Sequence, residues 1–336
     1  MKRRWVRVVL AGVLVFAVLC PAAVALWLRV QYAGEPSVDA RTRGRDAVWL
    51  GHAWVDGRKS DADIAVLAAR LKGTGMRDLY VHTGPLEHDG TLPAAVHPRA
   101  RWFVDAVHRA MPTVRVQSWL GDVVTPEKRP GLDLEDPAAR ARVVAASGRM
   151  LDLGFDGIHF DFEPVRSGSP GFLAVLDEVR ALTEPRQKLL SIATPQIDPL
   201  PSVHRVGIAL AGQGKYWSQA YFAETARRVN QVAVMSYDTA MPLESLYGGF
   251  VARQTALALE ATGEEVDLLM GLPAYWKDDF GHRGSAETVE AAVRGARLGL
   301  TRHAPTRQTF GLALYVDFTA TPAHWTAYTE GWSSNT

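Results

Sequence analysis

The chain has 336 residues, 47% of them apolar, and a formal net charge of +1. That content supports a packed core and excludes a disordered or low-complexity protein. The charge is unevenly placed: residues 1–30 hold Lys2, Arg3, Arg4, Arg7 and Arg29 with no acid, which leaves 32 basic against 36 acidic residues beyond them. Such a balance offers no basic surface for nucleic acid. The only cysteine is Cys20, so the folded part has no disulfide and cysteine usage does not report its redox compartment.

In chain order, basic Met1–Arg7 precedes the uncharged, mostly apolar Val8–Leu28. As a helix, that run spans roughly 31 Å, about one hydrocarbon core. The positive flank belongs on the cytoplasmic side, which places the domain outside. Pro21 with Ala23-Val24-Ala25 resembles a signal-peptide cleavage site, and Leu26-Trp27-Leu28 prolongs the apolar run in favour of an uncleaved transmembrane anchor. Both readings make the protein extracytoplasmic, tethered through this segment or secreted. Residues 1–30 are thus read as anchor or signal. Residues 31–46, with Gly34, Pro36, Ser37 and mixed charges, are read as linker, and 47–336 as one domain.

Within that domain, strands are predicted at Ala47–Val55, Met76–Thr83, Val114–Leu120, Phe155–Pro164, Lys188–Thr194, Gln231–Tyr237, Val266–Leu272 and Thr309–Val316. Helices are predicted at Asp61–Lys72, Trp102–Met111, Pro137–Leu151, Phe172–Leu182, Trp217–Val229, Gln254–Thr262 and Ala286–Leu300. Apolar strands joined by helices argue a parallel sheet with helices outside it. Eight strands predict a (β/α)₈ TIM barrel, an α/β fold. A doubly wound open sheet is the runner-up, weakened because no Gly-x-Gly-x-x-Gly follows a strand.

The fourth strand carries the chemistry: Phe155-Asp156-Gly157-Ile158-His159-Phe160-Asp161-Phe162-Glu163-Pro164. Side chains alternate along a strand, so His159, Asp161 and Glu163 share one face. Two acids and an imidazole crowded there cost several kcal/mol if they only support the fold. Such crowding pushes carboxyl pKa values apart and keeps one acid protonated near neutral pH. The competing reading is a strand end where solvated acids meet helix N-termini.

Asp-Gly-x-x-x-Asp-x-Glu at the end of an apolar strand resembles the signature of glycoside hydrolase family 18, the chitinase-like and peptidoglycan-directed hydrolases. His159 stands where that family usually has a third Asp. Met235-Ser236-Tyr237-Asp238 matches its Met-x-Tyr-Asp, and Gly271-Leu272-Pro273 is similar to its Gly-x-Pro turn. Ser118-Trp119-Leu120-Gly121 is similar to its Ser-x-Gly-Gly, with Leu120 replacing one Gly.

The resemblance implies a glycosidase with Glu163 as general acid and substrate-assisted retaining chemistry. The sugar's own 2-acetamido oxygen attacks, Asp161 orients the acetamide N–H, and Tyr237 donates its hydroxyl to the acetamide oxygen. Asp156, His159, Asp238, Met235 and Ser118 are expected in support, with His159 hydrogen-bonding Asp161 from below. Trp54, Trp119 and Trp276 fall at or just past strand ends, where an aromatic face can stack on a sugar, and Tyr315 falls near the family's floor tryptophan. The substrate class implied is a β-linked glycan containing N-acetylglucosamine, such as peptidoglycan or chitin. No cofactor and no metal are expected, because His52, His82 and the other histidines outside the motif form no compact metal spacing. Two rivals stand beside this reading: a silent glycan-binding barrel, and a glycosidase using Asp161 as its own nucleophile.

Overall fold

The computed structural model describes residues 21–200, 202, 204 and 215–333. Eight strands close a parallel barrel in the order β1-β10-β9-β8-β5-β4-β3-β2. They are β1 (Asp46–Leu50), β2 (Met76–Pro85), β3 (Arg115–Asp122), β4 (Gly157–Phe162), β5 (Leu189–Thr194), β8 (Gln231–Val234), β9 (Asp267–Pro273) and β10 (Phe310–Tyr315). The two-residue strands β6 (Gln196–Ile197) and β7 (Tyr216–Trp217) pair outside the barrel. This is the TIM barrel that the strand count predicts, and the open doubly wound sheet is overturned by closure of β1 on β10.

The helices that cover it are α1 (21–32), α2 (Asp61–Leu71), α3 (Ala100–Ala110), α4 (Pro137–Asp152), α5 (Pro170–Thr183), α6 (Gln219–Ala226), α7 (Glu244–Ala261), α8 (Val289–His303) and α9 (Pro322–Tyr328). Local chemistry starts several of them. Asp136 accepts from Ala138 N at the head of α4, with Pro137 in its first turn, and Ser169 does the same for Phe172 N in α5. Two apolar layers result. The large one lies between strands and helices, with Ile158, Phe160 and Phe162 facing it from β4. The smaller one fills the barrel with Ala47, Trp49, Tyr80, Trp119, Ala233, Met235 and Tyr237. Strand parity sends His159 and Asp161 into the second layer, because their neighbours on β4 occupy the first.

The segment expected to be a linker is held down. Arg294, Arg297 and Arg302 of α8 donate to the carbonyls of Gly34 (2.7 Å), Ala40 (2.7 Å) and Gln31 (2.6 Å). Leu28 is buried against Leu246 and Phe250 of α7. Gly248 and Gly249 permit this: a Cβ at Gly249 would lie 2.0 Å from the Leu28 carbonyl oxygen, and one at Gly248 would lie 2.1 Å from the Tyr32 ring. The part of Val8–Leu28 before residue 21 lies outside the described residues. Among the described residues no helix is long and apolar enough to cross a membrane.

Candidate active site

The barrel opens at the carboxyl ends of its strands onto a cleft of about 480 Å³ lined by Asp161, Glu163, Met235, Tyr237, Asp238 and Tyr315, among others. The fourth and sixth barrel strands therefore bring together the acids and the tyrosine that the motifs single out. Asp161 ends β4 on the inward face, opposite Gly121 of β3 in register. A Cβ at Gly121 would lie 2.4 Å from the Asp161 carbonyl oxygen, so this glycine lets the two strands approach where the carboxylate projects. Gly271 serves Tyr237 likewise, since its Cβ would meet the tyrosine ring at 2.8 Å.

The Trp119 indole donates to Asp161 Oδ2 at 3.0 Å, while Oδ1 is buried with no hydrogen-bond partner among the described residues. Desolvation pushes Asp161 up to about 6, against the pull of that indole. Glu163 sits one step beyond the strand, where water in the cleft reaches it. Desolvation against the cleft wall first, and then the negative charges of Asp161 and Asp238, push it up further, to about 8. The two carboxyls interact, so they titrate as a pair, with the proton held preferentially on Glu163. Tyr237 is buried and stacks on Tyr315 with ring centroids 5.4 Å apart. Desolvation raises its pKa, so it remains a hydroxyl donor.

His159 does not touch Asp161 as expected. The Trp49 indole donates to its Nε2 at 3.1 Å, and Nδ1 lies 2.7 Å from the Ser191 hydroxyl. An indole can only donate, so Nε2 accepts and Nδ1 carries the proton. Ser191 then donates to Gln117 at 2.7 Å, and Gln117 to Asp78 at 2.9 Å, where Arg115 also binds. Tyr80 stacks on the imidazole at 3.7 Å. Burial keeps the ring neutral. Ser191 on the adjacent β5 and Trp49 across the barrel on β1 occupy both ring nitrogens, so neither remains to reach Asp161.

Other expected residues divide. Met235 and Asp238 line the cleft. Asp156 sits at the opposite end of β4, where it accepts from Val116 N (2.9 Å) and His108 (2.8 Å); it ties strands at the barrel floor and is no part of the site. Ser118 faces the helix layer and pairs with Thr83 at 2.7 Å, because it has the opposite parity from Trp119. Of the aromatic candidates, Tyr315 lines the cleft and Trp119 lies beneath Asp161. Trp54 donates to Asp317 at 2.7 Å in a separate cavity, and Trp276 stands 60% exposed on the segment after β9.

Sequence reasoning missed Gln196, Lys215, Tyr275, His282 and Glu287. Gln196 donates to the Tyr237 carbonyl at 2.5 Å, and Lys215 donates to the Asp238 carbonyl. Tyr275 donates to Asp238 Oδ1 at 2.5 Å. His282 Nδ1 lies 3.3 Å from Asp238 Oδ1 and 3.7 Å from Glu287 Oε2. Most lie on irregular segments, where no periodicity marks them; only Tyr275, two residues past Gly-x-Pro, carried a signal.

No family model matches the chain, and no curated protein matches it. Solved structures do. The Bacillus cereus spore cortex-lytic enzyme SleL aligns with a TM-score of 0.59 at 14% identity, over 86% of this chain and 74% of that one. A chitinase from Chromobacterium violaceum aligns with a TM-score of 0.57 at 14% identity, over 85% of this chain and 98% of that one. The fold is shared with chitinase-type barrels. A class V chitinase from Pseudomonas fluorescens repeats the match at 0.56 and 14% identity, over 85% of this chain and 98% of that one. In such a barrel the carboxyl-end cleft is the expected place for chemistry, and here it holds Glu163, Asp161 and Tyr237.

Proposed function

We propose that this chain is a glycosidase of the family 18 type, cleaving β-linked glycans that contain N-acetylglucosamine. The observation that carries the reading is one cleft holding a carboxyl with a raised pKa, Glu163, beside Asp161 and Tyr237. The chitinases and the cortex-lytic enzyme with the same fold support it.

Glu163 gives its proton to the leaving glycosidic oxygen. The substrate's acetamide oxygen attacks the anomeric carbon from the other face, giving an oxazolinium ion. Asp161, ionised, accepts the acetamide N–H and offsets the positive charge that develops there. Tyr237 donates to the acetamide oxygen and fixes it in line for attack. Deprotonated Glu163 then takes a proton from water, which opens the oxazolinium from the leaving-group side and retains configuration. The N-terminal apolar segment exports the barrel as a membrane-tethered or secreted domain, so an envelope glycan such as peptidoglycan is the natural substrate.

The test is product analysis of the purified protein on peptidoglycan and on chitin oligomers. Release of reducing N-acetylglucosamine ends with retained configuration is expected. Binding to both without any turnover would instead establish the silent glycan-binding barrel.

A further inference from the structure

Beside the cleft, three ligand-type side chains converge from separate parts of the chain. Asp238 follows β8, while His282 and Glu287 lie on the segment between β9 and α8. One ligand atom from each falls within 4.8 Å of the other two. His282 is fully buried, and neither ring nitrogen has a hydrogen-bond partner among the described residues. Its Nδ1 faces both carboxylates, at 3.3 Å and 3.7 Å.

We propose that Asp238, His282 and Glu287 bind one divalent metal ion of borderline softness, Zn²⁺ foremost. An ion bound at about 2.0–2.1 Å by tetrahedral ligands holds those ligand atoms about 3.3–3.5 Å apart, close to the 3.3 Å and 3.7 Å from His282 Nδ1 to the two carboxylates. The donor set of one imidazole and two carboxylates suits zinc and leaves a fourth position for water. Both carboxylates are already oriented by outer donors, as ligands of built metal sites are. The Tyr275 hydroxyl binds Asp238 Oδ1 at 2.5 Å. The backbone N–H groups of Thr239 (3.0 Å) and Arg283 (3.2 Å) bind Glu287.

Two facing carboxylates favour a cation between them, and Lys215 contributes only from the side, with its ammonium donating to the Asp238 backbone carbonyl. An imidazolium at His282 would also supply one charge between the two carboxylates, and with either a proton or a metal on Nδ1 the Nε2–H has no acceptor among the described residues. A metal uses the Nδ1 lone pair and leaves the ring neutral. The ion fastens the segment that carries Phe280 of the cleft wall to the residues after β8, and holds Asp238 in place. The proposal departs from the sequence-based expectation of no metal, which rested on histidine spacing, because these three ligands come from two loops.

The full chain, stripped with a chelator and titrated with ZnCl₂ by calorimetry, is expected to take up one equivalent. His282→Ala and Glu287→Gln should each weaken that binding by at least about 100-fold. His88→Ala should not, although His88 also pairs with an acid, Asp122. Cobalt loading of the wild-type chain should give the intense visible bands of a four- or five-coordinate ion. Absence of saturable uptake, or uptake unchanged by His282→Ala, overturns the site. Should both variants misfold by circular dichroism, the cobalt spectrum decides, and a weak octahedral spectrum contradicts the proposal. None of these readouts depends on glycan cleavage.

Discussion

Glu163 and Asp161 need opposite protonation states for the proposed chemistry, and their surroundings favour that division. Activity requires ionised Asp161 and protonated Glu163, so kcat/KM should rise through about pH 6 and fall through about pH 8. Glu163→Gln should lower kcat by about two to four orders of magnitude and abolish the alkaline limb. The same residue weakens the fold at high pH. Its folded pKa is raised, so stability is fully present below the unfolded value of about 4.3 and falls as pH climbs to the folded value. Glu163→Gln should therefore melt higher than the wild type at pH 9, as thermal unfolding would record. Trp119→Phe removes the donor that lowers Asp161's pKa, so the acid limb should move upward, with kcat/KM reduced about tenfold at pH 6. His159→Ala should leave that limb in place and cost about 1–3 kcal/mol of stability, because it strands the Trp49 indole and the Ser191 hydroxyl. Asp161, Glu163 and Tyr237 were legible because two motifs fall at strand ends. The neutral tautomer of His159 was not, since it depends on Trp49 and Ser191, brought alongside only by barrel closure.

Strands were easier to read than helices. Each barrel strand begins within two residues of its predicted start, because buried parallel strands are short apolar runs with sharp ends. Helix α7 begins ten residues before its predicted start at Gln254. Gly248 and Gly249, poor helix formers by propensity, lie in those unpredicted turns and are the surface on which α1 lies and on which Gly295 of α8 meets the Gly248 carbonyl. Tertiary packing overrides propensity there. Gly249→Val should drive α1 from its seat, at a cost of about 1–3 kcal/mol, and expose 33–45 to limited proteolysis. A chain beginning at Val38 should melt lower than one beginning at Pro21, because it uncovers Leu246 and Phe250 and loses the carbonyls bound by Arg294 and Arg302. Equal melting temperatures would return 31–46 to a free linker.

At the scale of the whole molecule, the barrel was legible from eight apolar strands joined by helical stretches, and its closure bears that out. The segments that shape the cleft were not. The pair β6–β7 and the segment after β9 have neither a helical nor a strand period, yet they supply Gln196, Lys215, His282 and Glu287. What the assembled cleft is for comes down to the substrate's 2-acetamido group. If its oxygen is the nucleophile, a substrate lacking it has nothing to attack with. The decisive measurement is hydrolysis of a matched pair of β-linked oligosaccharides, one with 2-acetamido sugars and one with 2-hydroxyl sugars, with mass spectrometry of the protein during turnover. The account predicts cleavage of the first with retention, none of the second, and no sugar on the protein. Cleavage of the 2-hydroxyl substrate with a glycosyl adduct on Asp161 would contradict it.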